Sequence, residues 1–490
     1  MHPARSPLPA VRRTARLGIA MLCTGILAAS AAPLPVQAAG QPAPADPPLI
    51  AHYPFDEGTG TVAADASGGG HTGALRSSAA WSRGIVGPAD LALDGRGGFV
   101  DVPGAVIDTT RSFTVSAWVR LNATQGYQTF VSEDGAQVSA FYLQFRDDTR
   151  RFAFTRITTD AVAPGTFASA TFAPRTNTWY FLTGVYDAPA QALRLYVNGA
   201  FQQSVAFTSP WRAPGDLVIG RGRFAGNLVD FVGGQIDDVR IHDGVLSPRA
   251  IGTLATSGRW RFDEGAGVTA ADATGHGHAG TLAGGAGWTA GVDGPHALAL
   301  AGGGQEVDVA DPVLATDESL SVSAWVRLRD GAGAQSFVAV DGDQASSLSL
   351  ELRGDTGLFA FTRTATDAAG APTTSATASA PPAAGVWYHL AAVSDRAAGT
   401  LSLYVDGALQ QTVPFASPWR AAGELRIGRG VRSGAVDDVQ AFQYALTPDQ
   451  VMTLVAAGHW SFDDGADDAS PNEDDGAITG ATPVRGARLD

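Results

Sequence analysis

The chain repeats itself, and this constrains its fold more than any single motif. FDEG at Phe55 returns at Phe262, and DASGGGHTGAL from Asp65 returns as DATGHGHAGTL from Asp272. SFTVSAWVRL from Ser112 returns as SLSVSAWVRL from Ser319, and SPWRAPGDLVIGRG from Ser209 as SPWRAAGELRIGRG from Ser417. A period of about two hundred residues marks two copies of one domain. The copies occupy residues 49–257 and 258–457, with almost no linker between Gly258 and Trp260. The second copy lacks most of the loop RFAGNLVDFVGG, Arg223 to Gly234. HWSFDDGADDASPNEDDGAITG from His459 opens a third copy, residues 458–490, too short to bury a core alone. Either the chain is a piece of a longer protein, which is the expectation, or this tail docks on domain two.

Each copy alternates with period two. In SFTVSAWVRL, Phe113, Val115, Ala117, Val119 and Leu121 share one face, with Thr114, Ser116, Trp118 and Arg120 on the other. In FYLQF, Phe141, Leu143 and Phe145 point inward, Tyr142 and Gln144 outward. Turns such as DGRGG and VNG separate the runs, and only short stretches such as SPRAIGTLAT suit a helix, begun by a Ser-Pro cap. The expected fold class is all-β, a tandem of two-sheet antiparallel jelly-roll sandwiches with an incomplete third copy.

Residues 1–38 read as a secretory signal peptide: arginines, then the apolar run LGIAMLCTGILAASAA, then small residues for cleavage near Ala38. Residues 39–48 form a Pro-rich linker. The only cysteine, Cys23, lies inside the apolar run, so the exported protein carries no disulfide and draws its stability from core size or bound metal. The basic residues are all arginine, and the net charge of −15 repels nucleic acid and anionic lipid. No second apolar stretch is long enough to span a membrane.

FDEG, D-A-S-G-x-x-x-x-G, TVSAWV, Trp179-Tyr180, LYVNG, IGR and IDDVRIHDGVLSP, in that order, resemble the laminin-G-like family of bacterial secreted proteins, which is concanavalin A-like and pentraxin-related. The resemblance spans both copies and the stub. It implies a jelly roll serving as a sugar-binding, adhesion or accessory module, and calcium near the first and last strands.

The final strand of each copy sets two carboxylates side by side, Asp237-Asp238 and Asp437-Asp438. Strict alternation puts Asp237 with Val239 and Ile241 on the packed face, unless the strand bulges. A buried carboxylate needs a metal, several N–H donors or a cation. One reading is a structural calcium in each domain, held by Asp65 with Asp237 or Asp238 and by Asp272 with Asp437 or Asp438, with carbonyls of the glycine-rich turn. The other is that Asp65 closes an Asx turn and Asp237 accepts backbone N–H bonds. A catalytic pair is disfavoured, because strand neighbours do not face one sugar across a cleft.

No G-x-S-x-G elbow is present, nor the E-x-D-x-x-E strand of glycosidases that share the resembled fold. His276 and His278 read as surface loop, and the acidic runs of the stub as solvated loop. For ligand binding, Tyr142 and Gln144 become Ser349 and Glu351 in copy two, and Tyr127 is lost there, so domain one has the more aromatic, amide-bearing face. Trp211 and Arg212 of SPWR are a stacking platform or an edge plug. The expected function is a secreted, non-catalytic module binding extracellular polysaccharide. The alternatives are an adhesion protein that binds protein partners, and the accessory part of a longer glycoside hydrolase with its catalytic domain beyond residue 490.

Overall fold

The computed structural model describes residues 46–455 apart from 311, 330 and 332. The expected leader, most of the Pro-rich linker and the stub of a third copy lie outside the described residues.

Domain one is a sandwich of two eight-stranded antiparallel sheets. In the first, Trp179–Asp187, Phe113–Leu121 and Gly233–His242 run side by side at the centre, and Leu49–Tyr53 joins the flank of Gly233–His242. In the second, Arg151–Arg156, Ser139–Arg146, Gln128–Asp134 and Leu217–Ile219 are consecutive neighbours. Phe113, Phe130, Phe141, Phe145, Phe154 and Leu182 interdigitate between the sheets, and all are essentially fully buried. Domain two repeats the order strand for strand, from Gly258–Trp260 to Gly434–Phe442.

Each domain closes with one short helix. In α1, Pro248–Ala255, the Ser247 hydroxyl accepts from the Ala250 N–H at 3.1 Å and proline takes the first turn. In α2, Pro448–Val455, Thr447 and Gln450 form a capping box, each side chain accepting from the other's backbone N–H.

The final strand does not alternate through its carboxylates. Ile236 and Val239 both enter the core, and the pairing with Phe113–Leu121 slips between Asp237 and Arg240. Asp238 is the extra residue of this bulge, with left-handed backbone at φ 45°. Domain two repeats the slip, with Asp438 at φ 37°. Asp237 therefore does not share the packed face of Val239 and Ile241. It pairs with Trp118 on the outer side of the sheet.

That outer side is where the two sandwiches meet. Trp118, Trp179 and Phe181 pack with Phe442 and Tyr444 of domain two, the Trp118 and Tyr444 rings 6.3 Å apart. Arg120 pairs with Glu318 at 3.2 Å, and Arg420 donates to the Gly84 carbonyl at 2.7 Å. Alternation places Trp118 on the polar side; it is 2% exposed because a second domain covers that side.

Candidate functional site

The six aspartates fall into two equivalent networks. Asp65 Oδ1 accepts from the His52 N–H at 3.0 Å and the Ser67 N–H at 2.9 Å, while Oδ2 accepts from the His71 N–H at 2.9 Å. Asp272 repeats this with the N–H groups of Arg259, Thr274 and His278. Asp237 Oδ2 accepts from Ile85 and Val86 at 2.9 and 3.0 Å, and its Oδ1 from the Asp238 N–H at 2.9 Å. Asp437 does the same with Val292, Asp293 and Asp438. Asp238 meets His52 Nε2 at 2.7 Å and Arg240 Nε at 3.0 Å. Asp438 meets Arg259 Nε and Gln440 Nε2, both at 2.6 Å.

These donors set the protonation of each carboxyl. Burial pushes Asp65 up, but bonds from Ser67, His71 and His52 outweigh it and hold it at about 2. Burial and the adjacent Asp238 charge raise Asp237 well above the carboxylate range, against its N–H bonds. Asp437 is raised to about 7, by burial first. Burial also pushes Asp238 up, yet the Arg240 guanidinium and His52 hold it low.

With the donors they have, these carboxylates do not fit calcium. A hard cation wants six to eight converging oxygens. Here the lone pairs of Asp65, Asp237, Asp272 and Asp437 point at N–H groups, and those of Asp238 and Asp438 at a guanidinium. Among the described residues no three His, Cys, Asp or Glu side chains converge as a metal requires. Hydrogen bonds and ion pairs tie the first strand and the glycine-rich turn to the last strand.

The expected ligand residues do not form one site. Tyr142 and Gln144 do point outward, but they are 4% and 3% exposed. The hairpin of Gly222–Phe224 and Asn227–Val229, part of the loop that copy two lacks, folds over Tyr142, whose hydroxyl donates to the Arg223 carbonyl at 2.7 Å. The Gln144 amide is spent on Thr155 at 2.7 Å. Tyr127 is exposed beside Arg146 at one end of Gln128–Asp134. Trp211 lies at the other end against Gly135, about 20 Å away along the strand. Its Nε1 donates to the Ile157 carbonyl at 2.9 Å while its ring packs on Val138, Tyr142 and Ile157, so it closes the sandwich edge. Trp419 makes the same bond to Thr364 at 3.0 Å. Arg212 is exposed, 3.9 Å from Asp108.

The more open cleft belongs to domain two. Trp288, Thr289, Gln305, Arg327, Arg329 and Ser433 line a groove of about 270 Å³ beside the Gly287–Ala290 edge of its first sheet, with the Trp288 indole packed toward the core. The Trp288 Nε1 donates to the Gly267 carbonyl at 3.1 Å, which fixes the indole, and the Arg327 guanidinium lies 4.6 Å from the Trp387 ring centre. Domain one has Asn122 and Gly98 at the repeat positions of Arg329 and Gln305, and so lacks the second guanidinium. The groove is assembled from residues more than a hundred positions apart, and the only signal in the sequence was this exchange between copies.

No curated protein sequence matches the chain. Domain 4 of AbnA, a GH43 extracellular arabinanase from Geobacillus stearothermophilus solved with arabinotriose, is 21% identical, with a TM-score of 0.36; the match covers 43% of this chain and 100% of that one. Domains LG4-5 of the mouse laminin α1 chain are 15% identical, with a TM-score of 0.25, covering 71% and 86%. The SAP-like pentraxin of Limulus polyphemus is 16% identical, with a TM-score of 0.26, covering 32% and 73%. The family model of the concanavalin A-like lectin/glucanases superfamily, of laminin-G type, matches residues 94–252 and 301–452, one stretch in each sandwich. The chain therefore belongs to the concanavalin A-like lectin/glucanase superfamily, with one laminin-G-like jelly roll in each half.

Proposed function

We propose that this protein is an exported, non-catalytic carbohydrate-binding unit whose ligand seats in the Trp288–Arg329 cleft of domain two. The observation that carries the reading is the make-up of that cleft: two guanidinium groups and two hydroxyls around one groove, its rim held by the core-packed Trp288 and by Gln305, whose amide is bonded to Ala301 and Gly285. Hydroxyl and guanidinium groups converging on one groove read the hydroxyls of a sugar. Arg327 and Arg329 favour a sugar bearing a carboxylate over a neutral one, because guanidinium pairs with carboxylate in bidentate fashion. Membership of a superfamily of lectins and glucanases supports the class of ligand. The leader expected at residues 1–38 supports export. The carboxylates of the final strands are closed off by donors and offer no acid or nucleophile to a substrate.

Affinity electrophoresis against a panel of uronate-bearing and neutral polysaccharides tests this. Binding to an acidic glycan is expected to fall at least tenfold in Arg327→Ala and in Arg329→Ala, a loss of about 1.4 kcal/mol or more. It should be unchanged in Tyr142→Phe. Binding that survives both cleft variants would overturn the assignment.

A further inference from the structure

We propose that domain one carries a second carbohydrate subsite, for a neutral sugar ring, formed by Tyr127 and Asp230 at one end of the outer side of its second sheet. The subsite rests on the reading of the chain as a carbohydrate-binding unit, but not on the cleft of domain two. Tyr127 stands just before Gln128–Asp134 and is 37% exposed. Its hydroxyl donates to Asp148, which also takes the fork of the Arg146 guanidinium. That guanidinium lies 5.5 Å from the Tyr127 ring centre and 3.8 Å from that of Phe167. The cation between the two rings braces Tyr127, so the tyrosine meets solvent in a set orientation.

Asp230 follows the hairpin of Gly222–Phe224 and Asn227–Val229, which the Tyr142 hydroxyl pins through the Arg223 carbonyl. Its backbone is left-handed at φ 57°, and its carbonyl accepts from the Thr129 N–H at 2.8 Å. It is thereby held beside the start of Gln128–Asp134, near enough for its charge to act on the Tyr127 hydroxyl. The Asp230 carboxylate is half-buried, with no hydrogen-bond or ion-pair partner among the described residues. With no donor to offset it, burial raises this carboxyl to about 6. The Thr129 hydroxyl alongside is fully buried and also lacks a partner. Acceptors left in this state cost free energy, which the hydroxyl groups of a ligand offset.

Copy two keeps the fork and loses the rest. Arg353 and Asp355 pair as Arg146 and Asp148 do. Ala334 stands at the place of Tyr127, however, and Ser375 at that of Phe167. The loop that bears Asp230 is the one that copy two lacks. The second sandwich builds the same sheets without these groups, so the fold does not require them.

Together the ring and the acid select a neutral polyol. The two oxygens of a carboxylate accept adjacent hydroxyl groups in charge-assisted bonds, while the tyrosine ring lies against the C–H face of the sugar. An acidic sugar is repelled by Asp230, and a cationic one by Arg146 at the same ring. A hard cation finds one carboxylate where it wants about six to eight oxygens.

Affinity electrophoresis of the full chain through gels containing laminarin, arabinan or galactan tests this, because neutral polysaccharides give the guanidinium groups of domain two no carboxylate to pair. At least one of the three is expected to retard the protein. Asp230→Asn and Tyr127→Ala are each expected to weaken that binding by roughly tenfold or more. Asp230→Asn keeps the shape of the side chain, and a urea midpoint equal to that of the parent chain assigns its loss to binding. Retardation that survives both variants, or none by any of the three polymers, overturns the subsite. So does retardation by chitosan that Asp230→Asn abolishes, which would make the ligand a cation. The uronate assay of Arg327→Ala and Arg329→Ala reads the cleft alone, so each site stands or fails by itself.

Discussion

Asp238 and Asp438 occupy the same bulge in the two sandwiches, and each is served by a guanidinium, but not by the same one. In domain one the cation is Arg240 on the final strand, with His52 on the first. In domain two the first strand supplies it as Arg259, and the final strand offers the neutral Gln440. The exchange keeps one fixed positive charge beside the buried carboxylate while moving it between strands. Asp237 and Asp437 keep their three N–H donors unchanged. Backbone geometry is thus the conserved half of the network, and the location of the cation is the half free to vary. Such a carboxylate has its charge balanced by the chain itself.

The largest expected effect falls on the unchanged half. Asp237→Ala strips three N–H groups of their acceptor, and at about 1 kcal/mol or more for each the loss is on the order of 3 kcal/mol. The urea midpoint reads it, and a shift worth less than about 1 kcal/mol would show that these bonds carry little. Next comes the mobile half. Arg240→Gln is expected to cost roughly 2 kcal/mol, the range for bonds to charged groups. Adding His52→Arg, which recreates the domain-two arrangement, should restore most of it, and a double variant no better than the single would break the comparison.

A pH dependence follows for domain two. Asp437 is held at about 7 against an ordinary 3.8, so between those values the native chain keeps a proton that the unfolded chain releases. Its contribution to stability is complete below about pH 4 and is lost as pH rises through 7. Asp437→Asn should flatten this slope in urea midpoints taken from pH 4 to 8; an unaltered slope would assign the titration elsewhere. The smallest effect is expected from metal removal. Melting temperatures in excess calcium and in EDTA should coincide, and a clear rise with calcium would restore the ion that the donor geometry displaces.

Much of the scaffold was legible because repetition and period-two alternation are local signals. Phe113, Phe141 and Leu143 enter the core as the pattern requires, and the Ser247 cap starts its helix in place. The bulge was not legible, because inserting one left-handed residue moves every later side chain to the other face without changing the composition of the strand. Hence Asp237 was placed on the packed face and faces outward. Tyr142 was read correctly as outward and wrongly as free, since the carbonyl that takes its hydroxyl lies 81 residues later. The cleft around Trp288 escaped for the same reason. Its walls converge only after the sheet has formed.

The passage from α1 to Gly258–Trp260 leaves two residues between one sandwich and the next. With Trp118 and Tyr444 packed across the joint, neither sandwich can swing without pulling aromatic rings into water. Whatever one sandwich holds is therefore carried at a set bearing to the other, with no hinge entropy left to lose.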